Sequence, residues 1–193
     1  MITGGGSEIG LAAAKRFAAG GHALVLVDQN ADTLEAAARA LPEGAQVLTC
    51  PAKVTDPDPV NDCVQQAVAR FGGIDALVTS AGIVKVASSL DVTPEDFRAQ
   101  MDVNVTGSWF FAQAVAKDLV RRGSPRSIAM IGTVYGAAGA PMRAAYCASK
   151  GAIHNLTEAL AVEWRPLGIR VNRVASNRRA YTYGTGADRR RHL

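Results

Sequence analysis

The sequence predicts an α/β fold in which a parallel β-sheet carries helices on both faces. Short runs of β-branched residues alternate with longer alanine-rich segments whose apolar residues recur at helical spacing. Such alternation is typical of parallel sheets, because every parallel strand needs a crossover connection to the next. The chain has 193 residues, of which 48% are hydrophobic, and this size fits one domain around one core.

The predicted elements follow one another in strict order. Strands are predicted where short apolar runs occur, over residues 1–3, 23–28, 46–50, 74–79, 127–132 and 169–174. Helices are predicted where the apolar period is helical, over residues 8–19, 31–41, 59–71, 94–101, 105–122 and 144–167. Thr93 offers an N-cap before Pro94, while Gly20-Gly21 and Gly72-Gly73 are helix stops.

Charge divides the chain into a domain and a tail. The net charge is +4, but eight of the 21 basic residues, all arginines, lie from Arg165 onward, where Asp188 is the one acidic residue. We expect a single domain over residues 1–175 and an irregular basic tail over 176–193. A nucleic-acid-binding arm is an alternative for that tail, and we favour a solvated end.

Composition also bears on compartment and bound metal. The apolar runs are too short for a membrane span, and the start shows no secretory signal. Cys50, Cys63 and Cys147 are odd in number and widely spaced, which argues against a disulfide framework and against a zinc site. We therefore expect a cytoplasmic protein that binds neither membranes nor metal.

A glycine-rich bend follows the first strand. Thr3, Gly4, Gly6, Ser7, Ile9 and Gly10 belong to this bend, which leads directly into an alanine-rich helix. Glycines let the backbone approach a pyrophosphate, and the helix N-terminus favours its negative charge. Asp28, at the end of the second strand, is suited to accept hydrogen bonds from ribose hydroxyls and to repel a 2′-phosphate, so NAD is preferred over NADP. The alternatives are a tight turn without a ligand and an ordinary strand-end aspartate.

Tyr146 and Lys150 lie four residues apart and would share one face of a helix. A tyrosine is a poor base near neutral pH, and a neighbouring ammonium favours its phenolate form. Thr133, at the end of the preceding strand, would bring a hydroxyl to the same place. The alternative is a surface tyrosine beside a solvated lysine.

These motifs together resemble the short-chain dehydrogenase/reductase family, shortened at both ends. The resemblance runs from Ile2 to about Ala175 and rests on residues 3–10, 75–78 with Ala81-Gly82, 104–107, 146–150 and 169–172. It implies a Rossmann-type doubly wound sheet with strand order 3-2-1-4-5-6, from which the family's last strand is missing.

The resemblance also implies residue roles. Tyr146 would exchange a proton with the substrate oxygen, Lys150 would lower the tyrosine pKa and hold the nicotinamide ribose, and Thr133 would stand where the family usually has serine. Asn104 would join a proton relay through a water near Lys150. The remaining cofactor contacts would come from Val54, Ala81 and Gly82. The substrate would be a small secondary alcohol or ketone.

By the same analogy, helices 105–122 and 144–167 would pair subunits into a homodimer or homotetramer. Trp109, Phe110, Phe111 and Trp164 fit that use, and core packing explains them equally well.

Several residues depart from the family pattern. Glu8 stands in place of a loop glycine, Lys53 in place of an aspartate that contacts adenine, and Thr79-Ser80 in place of two asparagines. After Ala175, Ser176-Asn177 replaces a Pro-Gly pair, and the basic tail follows. The rival hypothesis is therefore a catalytically impaired relative that keeps the fold and the subunit interface.

Overall fold

The computed structural model describes residues 1–123 and 126–176, which form a six-stranded parallel sheet. The strands are β1 (Ile2–Thr3), β2 (Leu24–Asp28), β3 (Val47–Pro51), β4 (Ala76–Thr79), β5 (Arg126–Thr133) and β6 (Ile169–Ser176). Their order across the sheet is β3-β2-β1-β4-β5-β6, which confirms the predicted fold. β1 is short but central, because Ile2 pairs with Leu26 on one side and with Val78 on the other.

Six α-helices connect the strands. They are α1 (Glu8–Ala19), α2 (Ala31–Arg39), α3 (Pro57–Phe71), α4 (Pro94–Met101), α5 (Gly107–Arg122) and α6 (Ala144–Glu163). The Thr93 hydroxyl accepts the N–H of Asp96 at 3.2 Å, so the N-cap predicted for α4 is present.

Four predicted helices differ in their bounds. α2 ends at Arg39 rather than at residue 41, and α3 begins at Pro57, after the N-cap Asp56, rather than at residue 59. The other two differences have clear physical reasons. The helix predicted over 105–122 begins with a separate π-turn, Asp102–Thr106, which leads directly into α5. The helix predicted over 144–167 ends at Glu163. Pro166 has no N–H to donate, and the chain tightens into a short 3₁₀ turn, Arg165–Leu167, that Gly168 closes with φ +74°.

The sheet has a buried apolar layer on each face. Alternation along β2 shows this directly, because Val25 and Val27 join the larger core with Leu77 and Phe111, whereas Leu24 and Leu26 join the smaller core. Burial on both faces explains why the strands read as apolar runs rather than as alternating patterns.

Trp164 and Phe111 belong to the larger core, with 7% and 0% of their surfaces exposed. Trp109 stacks on Trp164 with ring centroids 6.4 Å apart. Core packing within one chain therefore accounts for these aromatic residues.

The end of the domain differs slightly from its predicted position. β6 runs on to Ser176, so the residue expected to begin the tail pairs with Thr133 as a strand residue. The rest of the predicted basic tail, with its possible nucleic-acid-binding role, lies outside the described residues. Within the described ranges, no helix is both long enough and apolar enough to cross a bilayer.

Candidate active site

The bend between β1 and α1 packs against the segment that follows β4. Gly4 has φ +64°, and a Cβ built on it would lie 2.8 Å from the main-chain nitrogen of Ala81. A Cβ on Gly10 would overlap the carbonyl oxygen of Gly4. Only glycine fits at these two positions, because the bend has no room for side chains and Gly4 occupies the left-handed region.

Hydroxyl groups hold this bend in place. The Ser7 hydroxyl donates to the Gly4 carbonyl at 2.6 Å, and the Ser7 N–H donates to the same oxygen at 2.9 Å. The Thr3 hydroxyl accepts the N–H groups of Ser80 and Ala81 at 3.1 and 3.2 Å. Thr3 therefore braces β1 against the end of β4, where the family's two asparagines are absent.

A cleft opens at the carboxyl ends of β1, β2 and β4. Six of the predicted cofactor residues line it, namely Gly4, Ser7, Asp28, Val54, Ala81 and Gly82. The other predicted loop residues lie around the bend itself. Gly10 is buried against Gly4, and Ile9 is 46% exposed.

Asp28 stands at one end of the cleft. Its carboxylate accepts the N–H of Gly6 at 3.4 Å and the N–H of Asn30 at 3.3 Å. Lys53 lines the same cleft. Glu8, which stands in place of a loop glycine, is exposed on the first turn of α1 and does not line the cleft.

Lys150 marks the other end of the site. Its ammonium donates to the carbonyl of Ile131 at 2.9 Å and lies 5.9 Å from the ring centroid of Tyr146. A Cβ on Gly82 would be 3.7 Å from the Lys150 nitrogen, so this charge adjoins the cleft. Burial lowers the pKa of the Lys150 ammonium from 10.5 to about 8. Tyr146 and Lys150 therefore lie close together on α6, as the four-residue spacing predicts.

Asn104 lies in the π-turn before α5 and is completely buried. Its amide oxygen accepts the N–H of Ile83 at 2.8 Å, and its amide nitrogen donates to the Ile83 carbonyl at 3.0 Å and to the Ser149 hydroxyl at 2.9 Å. The side chain thus joins the segment after β4 to α6, directly beside Lys150.

Thr133 lies at the end of β5, as predicted, and is 5% exposed. Its hydroxyl donates to the carbonyl of Ser176 at 3.4 Å and accepts the N–H of Tyr135 at 3.4 Å. The hydroxyl therefore links β5 to β6 at the carboxyl end of β5. The Lys150 ammonium binds the same strand, at Ile131, two residues before Thr133.

Three groups at this site were not found from the sequence. Ile131 contributes a main-chain carbonyl, which no side-chain pattern reveals. Ser149 and Gln100 are buried polar residues next to recognised motifs, one beside Lys150 and the other four residues before Asn104. In the sequence, only their position beside a motif could have indicated that Ser149 and Gln100 belong to the site.

The cleft lies where the strand order reverses, between β1 and β4, and a ligand site there is the general property of doubly wound nucleotide-binding proteins. The family model for the short chain dehydrogenases matches residues 1–182, and the chain belongs to that family of oxidoreductases.

Several relatives agree with this membership. The chain is 39% identical over 178 residues to galactitol 2-dehydrogenase (L-tagatose-forming) of Cereibacter sphaeroides, covering 90% of this chain and 68% of that protein. Gluconate 5-dehydrogenase of Gluconobacter oxydans is 35% identical, with 91% and 68% covered. The crystal structure of NAD⁺-bound xylitol dehydrogenase superimposes with a TM-score of 0.88 at 35% identity, covering 91% of this chain and 68% of that one.

Proposed function

We propose that the protein is an NAD-dependent oxidoreductase that interconverts a secondary alcohol and a ketone. One observation carries the proposal, the buried Lys150 ammonium that lies beside Tyr146 and adjoins the Gly82 end of the cleft. A buried cation next to a phenol is the arrangement that general acid–base chemistry by tyrosine requires near neutral pH.

The bend beside the cleft leaves room for a pyrophosphate to approach the main chain. Gly4 and Gly10 leave the bend without side chains, and the first-turn N–H groups of α1 have no acceptor within the helix. Glu8 does not line the cleft, which weakens the rival hypothesis of an impaired relative. Gly4, Gly6, Ser7 and Ile9 would hold the pyrophosphate, and NAD would supply or accept the hydride.

The residues at the reacting end divide the proton chemistry. In alcohol oxidation the Tyr146 phenolate takes the hydroxyl proton of the substrate, and in ketone reduction the phenol returns it to the carbonyl oxygen. The Lys150 charge favours the phenolate and holds the nicotinamide ribose. We assign the Thr133 hydroxyl to a hydrogen bond with the substrate oxygen, and to donate that bond the hydroxyl must give up its bond to the Ser176 carbonyl. We assign Asn104 to a proton relay through water.

Asp28 supports NAD over NADP. Asp28 lines the cleft at the end of β2, whereas Lys150 is bonded to Ile131 of β5. The Asp28 carboxylate would accept hydrogen bonds from ribose hydroxyls and repel a 2′-phosphate. Lys53 lines the same cleft and works against this preference, because its ammonium would attract a phosphate.

We further propose that the protein works in the cytoplasm as a homodimer or homotetramer that pairs through α5 and α6. The exposed Val120 on α5 and Val162 on α6 support this assembly, since Phe111 and Trp164 are already buried within one chain. Light scattering on the Val162→Glu variant tests it.

The function is tested by calorimetric titration with NADH and NADPH, followed by turnover with galactitol and xylitol, the alcohols named for two relatives. NADH binding with turnover is the expected result. NADH binding without turnover of either alcohol or of their ketones would favour the impaired relative, and absence of NADH binding would overturn the dinucleotide site.

A further inference from the structure

Gln100 is a buried amide that lies on α4, one helical turn before Asn104. It is 1% exposed, its amide oxygen accepts the N–H of Lys85 at 3.1 Å, and its amide nitrogen donates to the carbonyl of Asp96 at 3.2 Å. An apolar residue would fill the same space without these bonds, so its polar groups need an explanation other than packing.

The two amides bind alternate residues of one segment. Asn104 bonds both main-chain groups of Ile83, and Gln100 bonds the N–H of Lys85. Main-chain groups of alternate residues point the same way in an extended chain, and side chains four apart lie on one helix face. The pair of amides therefore holds residues 82–85 extended along α4 and the π-turn.

This segment begins at the reacting end of the site. Gly82 and Ile83 line the cleft, and a Cβ on Gly82 would lie 3.7 Å from the Lys150 nitrogen. Val84, between the two bonded residues, is 52% exposed. The main chain after Gly82 is thus held in position by Asn104, which binds Ile83, and by Gln100, which binds Lys85.

We propose that Gln100 is a positioning residue, which fixes the main chain of Lys85 so that residues 83–85 form a rigid wall on the substrate side of the reaction centre. The inference rests on the proposed function. It assigns Gln100 no contact with the cofactor, because Lys85 lies beyond the lined part of the cleft.

The first test is Gln100→Met, which keeps the side-chain length and removes both hydrogen bonds. Loss of a buried hydrogen bond corresponds to about a tenfold effect. We expect kcat/KM to fall about tenfold for whichever of xylitol and galactitol is turned over faster, the NADH dissociation constant to stay within twofold, and amide exchange to accelerate at Lys85. Arg98→Met, an exposed change on the same helix, is the control.

A second variant separates positioning from general loss of structure. In Gln100→Glu a protonated carboxyl can both accept from Lys85 and donate to Asp96, whereas the carboxylate can only accept. The residues bonded to Gln100 carry charges of their own, and the Asp96 carboxylate is paired with the Lys85 ammonium. The kcat/KM of this variant relative to wild type should therefore recover as the pH falls.

The outcomes are distinguishable. An active wild type with unchanged kcat/KM in Gln100→Met, or a pH-independent ratio in Gln100→Glu, would overturn the positioning role alone. An inactive wild type would overturn the proposed function and this role with it.

Discussion

The Lys150 ammonium donates to the main-chain carbonyl of Ile131 at 2.9 Å, and it forms no ion pair with a carboxylate of residues 1–123 or 126–176. A neutral carbonyl orients the charge without cancelling it. The charge therefore acts on Tyr146, whose ring centroid is 5.9 Å away.

Replacing Tyr146 by phenylalanine should abolish turnover and spare cofactor binding. The change removes only the hydroxyl, and a positioned acid–base group contributes about 10²- to 10⁴-fold to a rate. We expect kcat to fall by that factor while the NADH dissociation constant measured by calorimetry stays within threefold. Tyr135→Phe is the matched control, and turnover in Tyr146→Phe equal to that control would rule out the mechanism.

The stability of the protein should depend on pH through Lys150. Burial lowers the pKa of its ammonium from 10.5 to about 8, so the folded state loses this proton at a lower pH than the unfolded state does. Between pH 8 and 10.5 the unfolded state binds more protons at this site, and the contribution of Lys150 to stability therefore rises with pH. Below pH 8 its full destabilising effect is present.

Denaturant unfolding of the wild type and of Lys150→Met across this range checks that dependence. We expect the variant to gain most over the wild type below pH 8 and to lose that gain progressively towards pH 10.5. Lys15→Met, on α1, is the control. A difference between Lys150→Met and wild type that does not change with pH would show that the ammonium is not desolvated.

Removing the Asp28 carboxylate should shift the cofactor preference towards NADPH. Asp28→Ser keeps a small polar group and removes the charge that would repel a 2′-phosphate, while Lys53 remains to attract it. We expect the ratio of NADPH to NADH affinity to rise about tenfold, equivalent to about 1.4 kcal/mol, in calorimetric titrations. Asp32→Ser, on the first turn of α2, is the control, and an unchanged ratio in Asp28→Ser would remove this residue from cofactor selection.

Thr79→Val should stabilise the protein. Thr79 is 2% exposed, and its hydroxyl has no hydrogen-bond partner among the described residues. Leaving a buried hydroxyl unpaired costs about 1–3 kcal/mol, and valine has nearly the same shape. For a chain of this size each kcal/mol corresponds to roughly 2–4 °C in Tm. A lower Tm by calorimetry would show that the hydroxyl has a partner.

Thr3→Val should change the Tm in the opposite direction, because the Thr3 hydroxyl accepts hydrogen bonds. The Thr3 hydroxyl accepts the N–H groups of Ser80 and Ala81. In Thr3→Val the Ser80 N–H keeps the Thr3 main-chain carbonyl at 3.2 Å, but the partly buried Ala81 N–H loses its acceptor. The Tm of this variant should fall, whereas that of Thr79→Val should rise.

The sequence alone predicted the fold, which the structure confirms, and it proposed the principal residues of the candidate site. Strand and helix alternation predicted the parallel sheet, and family motifs predicted its strand order. The four-residue spacing placed Tyr146 and Lys150 on one helix face, as the structure has them. The element pattern and the shared helix face are local features, because backbone propensity and helical period act over a few residues, whereas the strand order came from the family resemblance.

Tertiary structure decided what local patterns leave open. The exposure of Glu8 outside the cleft lining, the burial of Trp164 in the core and the bond from Lys150 to Ile131 all depend on which distant segments meet. The same holds for Gln100, whose partner Lys85 lies 15 residues away across a loop. A side chain's partners are set by packing between elements, and no spacing within one element encodes them.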